Sequence, residues 1–327
     1  MVIVQTTSRL HFGLFCPGGA AGSTDGVEAA RRFGGAGLMI EQPGIRLSAS
    51  PAKGWSATGP LAERVLAFAQ RFADSVAAGS AGATPCAFRV EEAAPEHAGL
   101  GTGTQLALAV GQGLASVWGL RLSVAEIATR VGRGERSALG VHGFAQGGFL
   151  VEGGQSRSAT LAPLVAHCAA PSKWRVLLVR PVGVTGTHGV AERAAMAGLR
   201  GSSSTTDALC RLVLLGMLPA IAEADVDSFG DALFEFNVRA GEPFAAVQGG
   251  TYSSNAVAEI VAFLRGEQLR GVGQSSWGPT VFAVVGGEDR ALELMRRVRQ
   301  RFGEACDIVL TRAAATGARV DVAPGGA

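Results

Sequence analysis

The chain has 327 residues, of which 47% are hydrophobic and 17% charged, and its formal net charge is +2. This length accommodates about two domains with sizeable cores, and so small a charge gives no electrostatic case for nucleic acid as a partner. The five scattered cysteines, Cys16, Cys86, Cys168, Cys210 and Cys306, lack a CxxC pair, which argues for buried free thiols in a reducing cytoplasm rather than disulfides or structural zinc. No signal-peptide pattern opens the chain, and no uninterrupted apolar run of about 18 residues predicts a membrane span.

Val2–Gln5 and Leu10–Phe15 read as short strands, followed by a Gly/Ala/Ser/Thr loop at Gly18–Gly26. Gly37–Glu41 and Ile45–Ala49 read as two more strands, with Pro43-Gly44 as the turn between them. Over Pro60–Ala78, Leu61, Val65, Leu66, Phe68, Phe72 and Val76 recur near helical spacing. Ala87–Glu92 alternates as a strand, and Gln105–Val117 reads as a helix. A further helix is predicted over Ser123–Arg133, with Ser123 as N-cap and Glu126 at capping-box spacing. Gly147–Glu152 reads as a strand closing this half, and 154–173 as a crossover with a strand at Ser158–Leu161. Trp174–Val182 is an apolar strand. Helices follow at Ala191–Ala197, Thr205–Glu223, Val226–Val247 and Ser253–Leu264. Strands at Arg270–Gly273 and Pro279–Gly286, a helix at Asp289–Phe302 and a last strand at Asp307–Thr311 complete an α+β second half. The halves divide at 160/161, giving domains 1–160 and 161–327.

The most informative stretch is Pro95-Glu-His-Ala-Gly-Leu-Gly-Thr-Gly-Thr-Gln105, where Gly99, Gly101 and Gly103 alternate ahead of a helix. Glycines allow positive φ and close backbone approach, and a helix N-terminus presents unpaired N–H groups and the positive end of a dipole. Together they describe a cradle for a phosphate or diphosphate, and His97 beside it is either a donor to that phosphate or a cap or loop residue. A tight strand-to-helix turn is the competing reading. No Gly-Lys-Ser/Thr follows, so this is not a Walker loop. The spacing and the lack of a later acidic residue also exclude a dinucleotide fingerprint.

Four other segments carry polar chemistry. In Ser8-Arg9-Leu10-His11-Phe12-Gly13-Leu14, strand alternation puts Arg9 and His11 on one face, where two cationic or donor side chains can clamp an anion. An exposed Arg and a satisfied His is the plainer account. In Gly132-Arg-Gly-Glu-Arg-Ser137, Arg133 and Arg136 can meet a phosphate as planar forks, or the segment is a solvated loop. In Gly271–Val281, a Gly/Ser turn holding Gly273, Gln274 and Ser275 lets second-half backbone approach a ligand, or forms a bulged hairpin. Phe236-Asn237, Gly241, Phe244, Gln248-Gly-Gly250 and Tyr252 carry no readable chemistry alone. No two histidines have metal-ligand spacing, His167 reads as structural, and His142 and His188 are candidates near the cleft. Lys53 and Lys173 are the sole lysines, an arginine bias that a high-GC genome also produces and that locates no site.

In order, Ser8–Leu14, Pro95–Thr104 and Gly271–Val281 resemble the three motifs of the superfamily of galactokinase, homoserine kinase, mevalonate kinase and phosphomevalonate kinase. The resemblance spans nearly the whole chain. It implies an α+β fold of two GHMP-type domains: an N-terminal β-α domain with a left-handed βαβ crossover, and a C-terminal ferredoxin-like sandwich, with the site between them. The kinase pattern Gly-Leu-Gly-Ser-Ser stands here as Gly-Leu-Gly-Thr-Gly, so Thr102 keeps one hydroxyl and Gly103 deletes the next side chain. Arg9-Leu-His-Phe-Gly-Leu14, Phe33-Gly-Gly-Ala-Gly37, Gly99–Ala107, Gly132–Gly140, Gly147–Gly154, Gln248-Gly-Gly250 and Gly273–Thr280 are more similar to a non-kinase branch, the β-ribofuranosylaminobenzene 5′-phosphate synthases.

That resemblance implies joining of phosphoribosyl diphosphate to 4-aminobenzoate with release of CO2 and diphosphate, a step towards tetrahydromethanopterin. It assigns Arg9, His11 and Arg136 as catalytic, and His97, Gly99, Leu100, Gly101, Thr102, Gly103, Thr104 and Arg133 to phosphate. Gly273, Gln274 and Ser275 are assigned to substrate. Mg2+ is expected on the diphosphate rather than in a protein-built site, and a cytoplasmic homodimer is the family expectation. The usual phosphoribosyltransferase signature of paired acids is absent. An ATP-dependent small-molecule kinase on the same fold is the alternative.

Overall fold

The computed structural model describes residues 1–16, 31–76, 84–186, 202–245 and 250–322. The first part runs β1 (Val2–Cys16), β2 (Arg31–Pro51), β3 (Ser56–Thr58), α1 (Ala62–Val76), β4 (Cys86–Glu92), α2 (Thr102–Val117), α3 (Val124–Arg130) and α4 (Leu139–Gln146). It ends with β5 (Phe149–Glu152), β6 (Gln155–Ser156) and β7 (Leu164–Cys168). The second part runs β8 (Trp174–Pro181), α5 (Ser203–Glu223, with a π-helical turn at Val213–Met217), α6 (Val226–Gly241), α7 (Asn255–Gly266), β9 (Gly271–Gln274) and β10 (Val281–Gly286). It closes with α8 (Glu288–Phe302), β11 (Cys306–Thr311) and β12 (Arg319–Val322).

Each expected pair of short N-terminal strands is one long strand. β1 alternates buried and half-buried residues from Val2 to Leu10, with Thr6 and Ser8 buried members of that alternation, and buries Leu10, His11 and Phe12 in succession. Pro43-Gly44 makes no hairpin turn; residues 41–44 bulge between the pairs Thr6↔Ile45 and Ser8↔Ile40, a position that tolerates proline. The 21-residue β2 pairs with β1 along its length, with β4 near one end and with β5 near the other. α4 was not read in the sequence because Gly140 and Gly143 lower its helix propensity. Packing decides it: a Cβ at Gly143 would lie 2.2 Å from the Met39 sulfur, so the glycine permits the approach. Ser158–Leu161 is not a strand; β6 and β7 flank it. The loop at Gly18–Gly26 and the helix expected at Ala191–Ala197 lie outside the described residues.

The eight-stranded first sheet has the order β12-β1-β2-β4-β3, with β5, β6 and β7 added along β2. β7 and β12 follow residue 160, so the first sheet extends past the division drawn there and the chain returns to it once more at β12. β12 was missed because a short, charged edge strand has no apolar run. β3, α1 and β4 form a parallel β-α-β unit. The second sheet, β11-β8-β10-β9, is antiparallel, and its strand order with α7 and α8 on one face is the ferredoxin-like arrangement. On its other face α5 and α6 fill the space against the first sheet, joining Leu10, Phe12 and Phe149 to Trp174, Phe229 and Phe282.

α5 is long and apolar enough to cross a membrane by length and composition, although Asp207 and Arg211 interrupt its apolar run. It packs as a core helix, burying Leu209, Leu212, Val213, Met217 and Ile221 and leaving Leu214 and Leu215 exposed. All five cysteines are free, but only Cys86 and Cys306 are buried, and Cys210 is exposed.

Candidate active site

The glycine loop is a backbone device before it is a ligand site. Gly99 and Gly101 hold φ of +82° and +73°, a region that side chains with a Cβ avoid. Gly101 is the N-cap of α2, and its carbonyl accepts from Thr104 N (2.9 Å) and Gln105 N (3.1 Å). α2 therefore begins at Thr102, three residues earlier than expected. Thr102 and Gly103, the first two residues of that turn, line the cavity, and their N–H groups precede the first intrahelical bonds.

Two segments clamp this loop. Arg9 N donates to Leu100 O at 2.9 Å, and the Arg9 side chain lies against Gly101. From the second sheet, Ser275 Oγ accepts from His11 N (3.0 Å) and donates to Gly99 O (2.8 Å), while Ser276 N donates to His11 O (3.0 Å). A Cβ on Gly278 would sit 2.2 Å from Gly99 N, so the two backbones touch. Asn237 of α6 completes the seam: its amide donates to Phe12 O (2.7 Å) and Gln274 O (2.9 Å), and its oxygen accepts from Gln274 N (2.9 Å). The segments 8–14, 95–104 and 271–281 are thus stitched together by backbone bonds and by the side chains of Ser275 and Asn237.

The seam encloses a cavity of about 500 Å³. Arg9, Arg64, His97, Arg133, Arg136 and the loop 99–104 line it, together with Leu14, Phe244 and Trp277. Phe244 and Trp277 meet edge to face at 4.5 Å, and with Leu14 they form an apolar cluster beside the arginines.

Several expected roles change. His11 is buried, and burial first, then the charge of Arg9, pushes its pKa well below the usual value. It is a neutral ring at the seam, not the second cation of a clamp. Thr102 turns its hydroxyl away to donate to Pro95 O at 2.7 Å. Leu100 contributes backbone only, because its side chain is buried in the core. Gly273 makes room for Asn237, Ser275 is consumed by the clasp, and Gln274 spends its side chain on Ser253 N (2.9 Å) and Ser276 O (3.0 Å). These three hold the seam, although Gln274 also lines the cavity. His142 bonds Ala162 O at 2.9 Å and does not line the cavity, and His188 is outside the described residues.

Sequence reading gave no site role to Arg64, Phe68, Glu96, Asn237, Phe244, Trp277 or Glu152, although Asn237 and Phe244 stood in a stretch it singled out. Glu152 is fully buried at the end of β5, where Ala138 N donates to it at 2.5 Å. Burial raises its pKa to about 7 against the opposing bonds from Ser137 and Ala138 and the charge of Arg9. It anchors the turn that follows Arg133 and Arg136. Burial also lowers the Arg133 pKa, as do neighbouring Arg64, Arg71 and Arg136, against the opposing charge of Glu135. Among the described residues no three metal-ligating side chains cluster, and Glu135 is the carboxylate on the cavity wall.

A two-domain α+β chain with a glycine-loop helix N-terminus at its seam defines the GHMP class. The family described as "GHMP kinases N terminal domain" matches residues 63–150, and "GHMP kinases C terminal" matches residues 217–304. The chain superposes on homoserine kinase from Cytophaga hutchinsonii with a TM-score of 0.68 at 14% identity, covering 98% of this chain and 97% of that one. Mevalonate diphosphate decarboxylase from Staphylococcus aureus gives 0.63 at 14%, covering 98% of each. These likenesses bear on the fold. Closer in sequence is a β-ribofuranosylphenol 5′-phosphate synthase of Archaeoglobus fulgidus, 30% identical over 98% of this chain and all of the relative. A protein of the same name from Methanocaldococcus jannaschii is 26% identical over the same shares. The chain belongs to this synthase family of the GHMP superfamily, and is an enzyme of the transferase class.

Proposed function

We propose that the enzyme joins the ribose C1 of phosphoribosyl diphosphate to the ring carbon of 4-aminobenzoate that bears the carboxylate, releasing CO2 and diphosphate. The observation that carries this is one cavity lined both by an arginine-rich glycine cradle and by the apolar cluster of Leu14, Phe244 and Trp277. A phosphorylated sugar and an aromatic ring need those two surfaces.

Departure of diphosphate leaves an oxocarbenium-like sugar, so holding the developing anion is a main catalytic task. The first turn of α2 and Arg133 bind the diphosphate, and Arg9 and Arg136 serve the 5′-phosphate. The amino group of the acceptor pushes electrons to its para carbon, so no enzyme nucleophile is required. The carboxylate leaves as neutral CO2, and a tight arginine clamp on it would favour the ground state over the transition state. An apolar ring pocket beside Trp277 suits that requirement. His11, held neutral, adds no charge there. Mg2+ carried by the diphosphate would supply further charge neutralisation, and Glu135, the carboxylate among the cavity-lining residues, would be the protein group to meet it. We assign the reaction to tetrahydromethanopterin biosynthesis in a cytoplasmic homodimer.

The named relatives carry phenol where this reading has aminobenzene. 4-Hydroxybenzoate is therefore the competing acceptor, since a phenolic oxygen activates the same para carbon. The test is incubation with phosphoribosyl diphosphate, Mg2+ and carboxyl-labelled 4-aminobenzoate or 4-hydroxybenzoate, following labelled CO2. Release from the amine at the higher kcat/KM is expected. Preference for the phenol corrects the acceptor. No release from either, with ATP-dependent phosphorylation of an alcohol instead, refutes the reading in favour of a kinase.

A further inference from the structure

The third glycine of the cradle has a different reason from the first two. Gly103 has ordinary helical φ, so no backbone conformation demands glycine there. Its missing side chain leaves a space that is already occupied: a Cβ at 103 would lie 2.7 Å from Arg64 Nη2 and 3.7 Å from Arg133 Nη2. Two guanidinium groups, from α1 and from the loop after α3, therefore converge over the first turn of α2.

Both are held there. Phe68, one turn beyond Arg64 on α1, presents its ring to the two guanidiniums, at 4.9 Å for Arg133 and 5.7 Å for Arg64. Glu96, in the turn leading to the glycine loop, forms an ion pair with Arg64. Arg64 is half-buried and lines the cavity with Arg133. Like charges brought this close repel, and Glu96 on Arg64 and Glu135 beside Arg133 do not neutralise a cluster that also holds Arg71 and Arg136. A multiply charged anion does, and it also accepts from both forks and from the helix N–H groups below.

We propose that Arg64 is a further anion-binding residue of the site, that its ligand is the diphosphate group, and that Gly103 is glycine in order to admit it. The ligand class rests on the function proposed above. A second hydroxyl side chain at 103, as in the kinase-like pattern, and a guanidinium from α1 are alternative occupants of one volume. This chain uses the guanidinium, which makes the cradle selective for a highly charged leaving group.

The space argument provides a clean probe. The atom that a Cβ at 103 meets is the far end of a flexible side chain, so Gly103→Ala displaces Arg64 without disturbing the fold and adds helix propensity. Full-length protein, Gly103→Ala, Arg64→Ala, the double variant and Arg133→Ala are titrated with inorganic diphosphate by calorimetry, with and without Mg2+, and melted to verify folding. Each of Arg64→Ala and Gly103→Ala should weaken diphosphate binding about ten- to a hundredfold, the range of a charge-assisted hydrogen bond. The double variant should be no weaker than Arg64→Ala, because both remove the same contact. Arg64→Lys should rescue partially, keeping the charge but not the fork. Unchanged affinity in Arg64→Ala beside a loss in Arg133→Ala overturns the role of Arg64 and leaves the cradle reading intact. Full additivity of the two substitutions overturns the role of Gly103. A wild-type protein that binds diphosphate through Arg64 yet releases no CO2 upholds this inference and sinks the proposed reaction. Failure of wild type to bind diphosphate at all sinks both.

Discussion

Glu152→Gln should remove a pH dependence of stability that is built in beneath the cavity. In the folded protein the Glu152 carboxyl has its pKa raised from 4.5 to about 7 by burial, and its Oε1 has no hydrogen-bond partner. Between those two values the native state keeps a proton that the unfolded chain has released. Stability from this group is therefore fully present below pH 4.5 and is lost as pH rises through 7. A gap of that size corresponds to about 3 kcal/mol. Glutamine is neutral at every pH and keeps an oxygen to accept from Ala138 N. Urea unfolding of wild type and variant across pH 4.5 to 8 gives the difference directly. Wild type should lose about 3 kcal/mol relative to Glu152→Gln over that window. A difference that stays flat would mean the carboxyl is ionised throughout, and that its bonds to Ser137 and Ala138 outweigh burial.

Arg9→Ala should raise the KM for phosphoribosyl diphosphate at least about tenfold while leaving that for 4-aminobenzoate nearly unchanged; equal effects on both substrates remove it from the phosphate site. Trp277→Ala should do the reverse, raising the KM of the aromatic acceptor about tenfold with inorganic diphosphate affinity retained, as ligand titration reads. Gly99→Ala should destabilise by at least ~2 kcal/mol, since positive φ costs about 1–2 and the new Cβ would lie 2.2 Å from Ser275 O; an unshifted melting temperature contradicts the clasp. Ser123→Ala removes the capping box of α3, in which Ser123 Oγ accepts from Glu126 N at 3.3 Å and Ser123 N donates to Glu126 at 2.8 Å. It should cost about 1 kcal/mol with kcat/KM unchanged.

What was legible in the sequence was local chemistry at short range. The capping box at Ser123 and Glu126 was readable because both partners lie within one turn. So were the strands β4, β8 and β10, whose apolar alternation or runs reflect burial on sheet faces. The glycine loop was readable as a helix N-terminus because its glycines precede a small-residue apolar run. Illegible were the groups whose function depends on partners far along the chain. Arg64 looks like one charged position on an amphipathic helix until α1 is laid across α2. Asn237 bonds Phe12 and Gln274, 225 and 37 residues away, so nothing local marks it. Glu152 ends a strand that reads as plain core. Ser275 looked like a substrate ligand because an exposed Gly/Ser turn and a buried clasp have the same composition.

The three alternating glycines had one explanation in the sequence and have three in the fold. Gly101 is glycine for conformation, because the cap of α2 is left-handed. Gly99 needs that conformation too, but also contact, because Ser275 and Gly278 of the second sheet rest on its backbone. Gly103 is glycine for neither, only for the volume that Arg64 fills. Alanine at each position therefore has a different phenotype: strain at 101, loss of domain docking at 99, and loss of anion affinity in an intact fold at 103. A generic phosphate loop, in which all three glycines serve ligand approach alone, predicts one phenotype at all three. Comparing melting temperature with diphosphate affinity across the three variants separates the two accounts, and only an affinity loss without a fall in melting temperature, confined to position 103, fits a cradle shared between backbone and arginine.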